Sequence, residues 1–411
     1  MIPRKRLDIG WSDVLHGIAV SLLPVRREAA EAAVAAAAPG AGHRLVCLSV
    51  RSGLDALLAV LDFPPGSEVL VSAVTIRDMT RILEAHGLVP VPVDLDVRRL
   101  DVRLDSLERA VTPRTRALLV AHLFGSRMPL APVLEAARRH GLFVVEDGAQ
   151  AYAGKEALEM PQADVSLWSF GPIKTATALA GGILCFRDPQ LLDRVRRHQE
   201  GWPVRSRGSF LSRLLKYSLL MLLTHRPLYT LFTGLCRLLG ADHDAVISAR
   251  VRGFPGDDFL RQIRQRPSTP LLSLLAHRLR HFDPATIAAR REAAERAIAR
   301  TPFLDRPGDL AAEHTYWVFP ILNENPAALV HFLWKQGFDA TRGASSLYVV
   351  SPPEDRPGLA PEEALRMMER LLYLPVYPGV PHRAEERLAT ALRSWSAGSG
   401  APCLTGSPGE A

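Results

Sequence analysis

Only five of the 411 residues are lysine: Lys5, Lys155, Lys174, Lys216 and Lys335. Four read as surface lysines or as the start of an apolar stretch, but Lys174 is placed where an amine could do covalent chemistry. It follows the apolar segment Val165–Phe170 and a Gly171-Pro172 turn, and nothing from Thr175 to Gly182 carries a charge. An ammonium held among small uncharged residues loses proton affinity as it is desolvated, which suits an amine that condenses with a carbonyl. A lysine in an ordinary loop would look the same by itself. Asp147 is the second group, closing the apolar run Gly141-Leu-Phe-Val-Val-Glu-Asp147. A lone Asp there is commonly a turn or cap residue; followed by a loop lysine it says more. The third group is Ser49-Val-Arg-Ser52-Gly53-Leu-Asp-Ala56, where an apolar run gives way to a helix pattern through Ser52-Gly53. Backbone N–H groups at a helix start attract anions, and glycine lets an anion approach closely. Serine is also a routine N-cap.

These groups need a scaffold that brings them to one edge. Apolar runs at 45–49, 68–72, 88–93, 116–121, 142–145, 165–169 and 182–186 do not alternate with polar residues. Such runs are strands buried on both faces, as in a parallel sheet. Helical patterns separate many of them, at 28–40, 53–62, 76–86 and 129–140, and another follows the last, at 189–198. This alternation predicts an α/β fold with a mainly parallel seven-stranded sheet sandwiched by helices. Ligands in such sheets sit beyond the carboxyl ends of the strands, and Asp94, His122 and Asp147 each follow an apolar run. The expected organisation is a large α/β domain over 1–200, a basic, apolar helical insertion over 201–269, a smaller α+β domain over 270–397, and a disordered Gly/Ser/Pro-rich tail over 398–411. Within the smaller domain a strand is expected at 316–322, with helices at 326–337 and 383–395.

Composition narrows the classes. With 47% hydrophobic and 23% charged residues, a mainly disordered, coiled-coil or collagen-like chain is excluded. Four irregularly spaced cysteines indicate neither a zinc site nor a disulfide framework. The basic first residues lead into no apolar core, so a signal peptide is not expected and the chain reads as cytoplasmic. The net charge of +7 is concentrated: residues 194–237 hold nine Arg or Lys against one acid, Glu200. Between the basic residues run uncharged stretches of eight and ten residues, short of the roughly 18–20 that span a bilayer. Three readings stay open: a helical pair buried in the core or a dimer interface, an anchor lying on the inner face of the membrane with arginines on anionic head groups, or a transmembrane hairpin. The aliphatic interleaving does not suggest nucleic acid.

A strand-end carboxylate upstream of a buried amine is what pyridoxal 5'-phosphate needs, since a carboxylate at its ring nitrogen keeps the ring protonated and electron-withdrawing. Five ordered segments resemble the DegT/DnrJ/EryC1/StrS family of pyridoxal phosphate-dependent sugar aminotransferases of fold type I. They are Ser52-Gly53 with Ala56-Leu57, Thr112–Thr115 with Val120–Gly125, Val145–Ala151, Ser169–Lys174 with Gly181-Gly182, and Leu374–Pro378. The likeness covers roughly 28–200 and 310–395. It implies Lys174 as the covalent attachment point and proton carrier, Asp147 at the ring nitrogen, and Gln150 beside the ring. It further implies Ser52, the Gly53 amide and Ser169 at the phosphate, a homodimer, an amino acid donor such as glutamate, and a keto-sugar acceptor. Departures are Leu54 where the family has Thr, Ile76 where an aromatic residue stacks on the ring, and Leu179-Ala180 where Gly-Glu is usual. Because Lys174 is kept, the dehydratase variants, which carry His there, are disfavoured. A lipid-linked or amphiphilic substrate at a membrane surface, or a catalytically silent interaction protein, are the alternatives.

Overall fold

The computed structural model describes residues 1–38, 43–240, 243, 244, 246, 258–343 and 346–398; residues 399–411 of the expected tail and residues 39–40 of the helix expected over 28–40 lie outside these. Helices α1 (Trp11–Leu22) and α2 (Arg27–Ala37) precede β1 (Arg44–Cys47) and α3 (Val50–Leu61). There follow β2 (Glu68–Ser72), β3 (Val74–Ile76), α4 (Arg77–Ala85), β4 (Val89–Val93), α5 (Leu104–Ala110), β5 (Thr115–Ala121) and β6 (Ser126–Arg127). After these come α6 (Ala131–Arg139), β7 (Phe143–Asp147), β8 (Val165–Ser169), β9 (Gly182–Phe186) and α7 (Pro189–Glu200). The basic segment forms α8 (Arg207–Leu223) and α9 (Arg226–Leu238).

Seven strands make one sheet in the order β1-β9-β8-β7-β5-β2-β4. The run from β4 through β2, β5 and β7 to β8 is parallel, and β9 is antiparallel to both its neighbours. The mainly parallel seven-stranded sheet expected from the apolar runs is therefore present. Its central strands are buried on both faces because a layer packs on each: α3, α4 and α7 supply one apolar cluster with Val71, Leu119 and Leu184, and α5 and α6 supply another with Leu70, Leu118 and Val144. That is why β2 and β5 read as unbroken Val/Leu runs.

The pair Phe319–Leu322 and Leu371–Leu374 is antiparallel and carries a separate core with helices Pro326–Lys335 and His382–Gly398. The strand expected from 316 starts only at Phe319, and Tyr316-Trp317 lie ahead of it. Helix Thr269–Arg280, expected within the small domain, packs instead on the large one: Leu271, Leu275 and Leu279 join α2, Phe170 and Ile183 in one cluster. Its Leu-rich face matches an apolar surface left by α1, α2 and β9, so hydrophobic burial decides its side. Among the described residues no helix is long and apolar enough to cross a membrane, which removes the transmembrane hairpin over that range.

Candidate active site

Strand register brings the three groups together. Asp147 at the end of β7 pairs with Leu167, Ser169 at the end of β8 pairs with Gly182, and Gly182 pairs in turn with Cys47 at the end of β1. The carboxyl ends of β7, β8 and β1 therefore share one edge. The Lys174 loop joins β8 to β9 at that edge, and α3 leaves β1 there. Contact is close: a Cβ on Gly182 would lie 2.6 Å from the Val50 nitrogen and 2.8 Å from the Ser49 carbonyl carbon. Only glycine lets the first turn of α3 sit on the sheet at this height.

Burial pushes the Lys174 amine down to about 8; Asp147 opposes this and Arg51 adds to it. The Nζ lies 4.3 Å from the centre of the Trp317 ring. Desolvation pushes the buried Asp147 carboxyl above its ordinary range, against the Ala149 N–H, Lys174, His122 and Arg51. Its Oδ1 accepts from Ala149 N–H at 2.9 Å. A buried carboxylate raised by desolvation gains most from a cation set against it, so Asp147 fits a protonated pyridine nitrogen. Gln150 is fixed by its Oε1, which accepts the Phe124 N–H at 2.9 Å.

The first turn of α3 is the candidate anion cup, with one correction. The Gly53 amide is already donated to the Ser49 carbonyl at 3.1 Å, because the helix starts at Val50 and not at Gly53. Gly53 serves packing: a Cβ there would lie 2.2 Å from Leu184 Cδ1. Ser52 remains a candidate for the cup, its Oγ 3.0 Å from Ser49 Oγ. Ser169 is half-buried at the end of β8. Ile76 is half-buried at the end of β3, which pairs with Leu347–Val349.

Two strand-end residues have structural work instead. Met128 N–H donates to His122 Nδ1 at 3.2 Å, so Nε2 carries the proton and donates to Glu146 Oε1 at 2.9 Å. Asp94 accepts the Glu363 and Ala364 amides, each at 3.0 Å, and caps helix Glu362–Arg370. Arg77 lines a cavity of about 600 Å³ with Thr80, Arg81, Glu84 and Tyr348.

Sequence reasoning missed three residues at the site. Arg51, in the first turn of α3, is ion-paired with Asp78 and near enough to depress Lys174. Trp317 donates its Nε1–H to the Ile173 carbonyl at 2.8 Å. Lys5, read as a surface lysine, donates to the same carbonyl at 2.9 Å and lies 4.2 Å from the Trp317 ring centre. Asp8 accepts the Ala176 N–H at 2.7 Å and pairs with Arg290, so the N-terminal segment clamps the Lys174 loop from both sides. No spacing links these residues, which lie 143 or more positions from one another or from the loop in sequence for Trp317 and Lys5. Backbone strain gathers here as well. Ala176 and Leu179 in the loop, Phe124 under Gln150, and Tyr316 beside Trp317 all have φ between 47° and 64°. Each such residue costs about 1 kcal/mol or more and persists only where its surroundings hold it.

The sheet order, the antiparallel β9 and the lysine loop at the carboxyl edge give the α/β fold that the resemblance implied. The chain superposes on the aminotransferase TlmJ from Streptoalloteichus hindustanus with a TM-score of 0.69, over 97% of this chain and 100% of that one, at 21% identity. That likeness concerns the fold. Residues 26–217 match the model of the DegT/DnrJ/EryC1/StrS aminotransferase family, so the resemblance carried by the motifs is borne out over the segment that holds Ser52, Asp147 and Lys174. Two curated relatives are similar to part of the chain. One is GDP-perosamine synthase of Caulobacter vibrioides, 34% identical over 161 residues, 38% of this chain and 43% of the relative. Another is dTDP-3-amino-3,4,6-trideoxy-alpha-D-glucose transaminase of Streptomyces venezuelae, 40% identical over 157 residues, 36% of this chain and 41% of the relative. The matches thus span about two fifths of these relatives' length.

Proposed function

We propose that the chain is a pyridoxal 5'-phosphate-dependent aminotransferase that moves an amino group from an amino acid, glutamate in this reading, to a keto-sugar or related carbonyl. The observation that carries this is the Lys174 amine, lowered to about 8 and facing Asp147 and the α3 turn at one sheet edge. The family match and the two sugar-nucleotide relatives support the substrate class.

Pyridoxal phosphate, when bound, supplies a sink for the electrons left at the substrate carbon. Lys174 would bond it covalently, and the displaced Nζ would carry the proton to and from the substrate carbon. A lysine whose amine titrates near neutrality is suited to both tasks, since proton transfer is best when the catalytic group titrates close to the working pH. Asp147 would hold the proton of the ring nitrogen. Ser52, Ser169 and the first-turn amides of α3 would take the phosphate, the helix N-terminus adding its favourable dipole. Ile76 would pack on the ring with less stacking than an aromatic side chain gives. A homodimer is part of the proposal, as the family resemblance implies.

A second reading puts the same chemistry on a lipid-linked or amphiphilic acceptor in peripheral contact with a membrane. It is favoured by one observation: α8 and α9 leave rows of leucines exposed. The primary test is spectroscopic. The purified chain mixed with pyridoxal phosphate should turn yellow, Lys174→Ala should not acquire the absorption of covalently bound cofactor, and added glutamate should bleach the wild type. A wild-type chain that stays colourless with added cofactor overturns the proposal.

A further inference from the structure

We infer that α1, α8 and α9 together form a docking face for an anionic lipid bilayer. The inference deepens the second reading above and shares with the first only the fold. α1 buries Asp13, Val14, Gly17 and Ser21 and turns Trp11, Leu15 and Leu22 to solvent. Spacings of four and then seven place those three on one side of a helix. α8 buries Phe210, Leu214 and Tyr217 and exposes Leu215, Leu219 and Leu222, Leu219 by 68%. α9 turns Tyr229 inward and exposes Leu228, Leu231, Leu235 and Leu238, Leu231 by 70%. These are helical spacings again, so three neighbouring helices each present an apolar stripe to water. A set of this size marks an interaction surface.

The three helices are one unit. α8 packs on α1 and α9 on α8. Leu214 sits so close to Gly17 that a Cβ there would lie 2.9 Å from Leu214 Cδ2. Arg207 donates to the carbonyls of Val20 and Ser21 at the end of α1. α9 is tied down from below by Tyr229, which donates to the buried Asp339 carboxylate.

Charge decides what covers the face. From Gly201 to Gly240 there is no Asp or Glu, while Arg205, Arg207, Arg213, Lys216, Arg226 and Arg237 fall in the same stretch. A two-fold dimer through this face would set the same patch against itself and bring like charges together. An anionic bilayer complements it: leucines enter the acyl boundary, the exposed Lys216 meets head groups, and the uncompensated positive charge of the stretch attracts the anionic surface. Trp11 suits the interfacial depth where indole rings gather. No described helix can cross the bilayer, so the unit lies on the surface and brings the enzyme to substrates held there.

The test is co-sedimentation of the full-length holoenzyme with vesicles of phosphatidylcholine alone and of phosphatidylcholine mixed with phosphatidylglycerol. Binding to the mixed vesicles should be about tenfold tighter or more, as a few basic residues at an anionic surface provide, and should weaken with salt. Leu219→Glu with Leu231→Glu should stay in the supernatant while keeping the yellow colour and the bleaching by glutamate. Equal or absent binding to the two vesicle types at low salt overturns the inference. So does a wild-type assembly in free solution that the double variant dissociates, because the face then belongs to a second copy. If the double variant loses its colour, the comparison of charged and neutral vesicles with the wild type still decides. Vesicle binding is read independently of catalysis, so a colourless wild type strikes the aminotransferase proposal alone.

Discussion

Helices α3 and α8 are both rich in leucine, and they have opposite fates. α3 buries Val50, Leu54, Ala56, Leu57 and Leu58 against the sheet, and even its polar Ser52 and Asp55 are enclosed. α8 buries three side chains and gives a whole side to solvent. The difference lies in what each has to pack on. α3 meets a sheet whose strands need covering, and Gly53 and Gly182 bring it into close contact. α8 packs on the neighbouring helices α1, α9 and Thr269–Arg280, and its outer leucines stay exposed. The closed, strained and fully packed edge carries the groups proposed to be catalytic; the open apolar face is the one proposed to meet a bilayer. The contrast can be broken or sharpened at several points.

The largest effect belongs to the closed edge. Lys174→Ala should lower transamination by about 10²–10⁴-fold from lost proton transfer alone, read in single-turnover assays with added amine. An activity within a few-fold of wild type would mean that another group moves the proton.

Next is the anchor beneath the open face. Arg4 pairs with Asp339 at 2.7 Å, and Tyr229 donates to the same carboxylate. Despite burial, His243, Arg4 and Tyr229 hold this carboxyl down to about 2. Asp339→Asn should cost about 3 kcal/mol, as breaking a buried ion pair does, measured by urea unfolding. The sign follows from the depressed carboxyl: its contribution is complete above the ordinary Asp range near 3.8 and is lost as pH falls through about 2. A wild-type chain whose stability advantage over the variant vanishes already at pH 5 would refute that assignment.

A smaller loss is expected at the close approach of sheet and helix. Gly182→Ala should destabilise by about 1–3 kcal/mol through overpacking and weaken retention of pyridoxal phosphate on dialysis. Destabilisation with unchanged retention would show that the α3 turn is not the phosphate cup.

The amine itself can be titrated. The rate at which the cofactor-free chain turns yellow with pyridoxal phosphate should rise with pH around a midpoint near 8, since only the unprotonated amine attacks. The unfolded lysine holds its proton up to about 10.5, so the same group makes stability rise with pH between about 8 and 10.5. A midpoint near 10 would remove burial as the cause. Least is expected of Lys5→Met, which deletes one hydrogen bond to the Lys174 loop. Cofactor affinity should fall by about fivefold, and a change below twofold would leave Asp8 as the loop's main clamp.

How much of this was legible beforehand follows the range of the interactions. Strands β2, β8 and β9 are read correctly to the residue, because each is a short apolar run buried on two faces and ended by a turn. Lys174, Asp147 and Ser52 are legible because each sits in a local pattern of strand, turn and helix start. Gly53 was misassigned by a few residues of helix boundary, since capping by Ser49 rather than Ser52 depends on backbone angles that composition does not show. Asp94 and His122 looked like site residues because a strand-end polar residue reads the same whether it faces a ligand or a neighbouring helix.

By itself, then, the sequence determined the α/β sheet, the amine–carboxylate pair and the concentration of basic and apolar residues after Glu200. Periodicity, charge and turn chemistry are properties of neighbours in the chain. The tertiary structure decided which partners meet: Lys5 and Trp317 at the Ile173 carbonyl, Thr269–Arg280 on the large domain, and the exposed side of α1 alongside those of α8 and α9. Those outcomes depend on which apolar surfaces remain uncovered once the sheet has formed, and no local pattern encodes that.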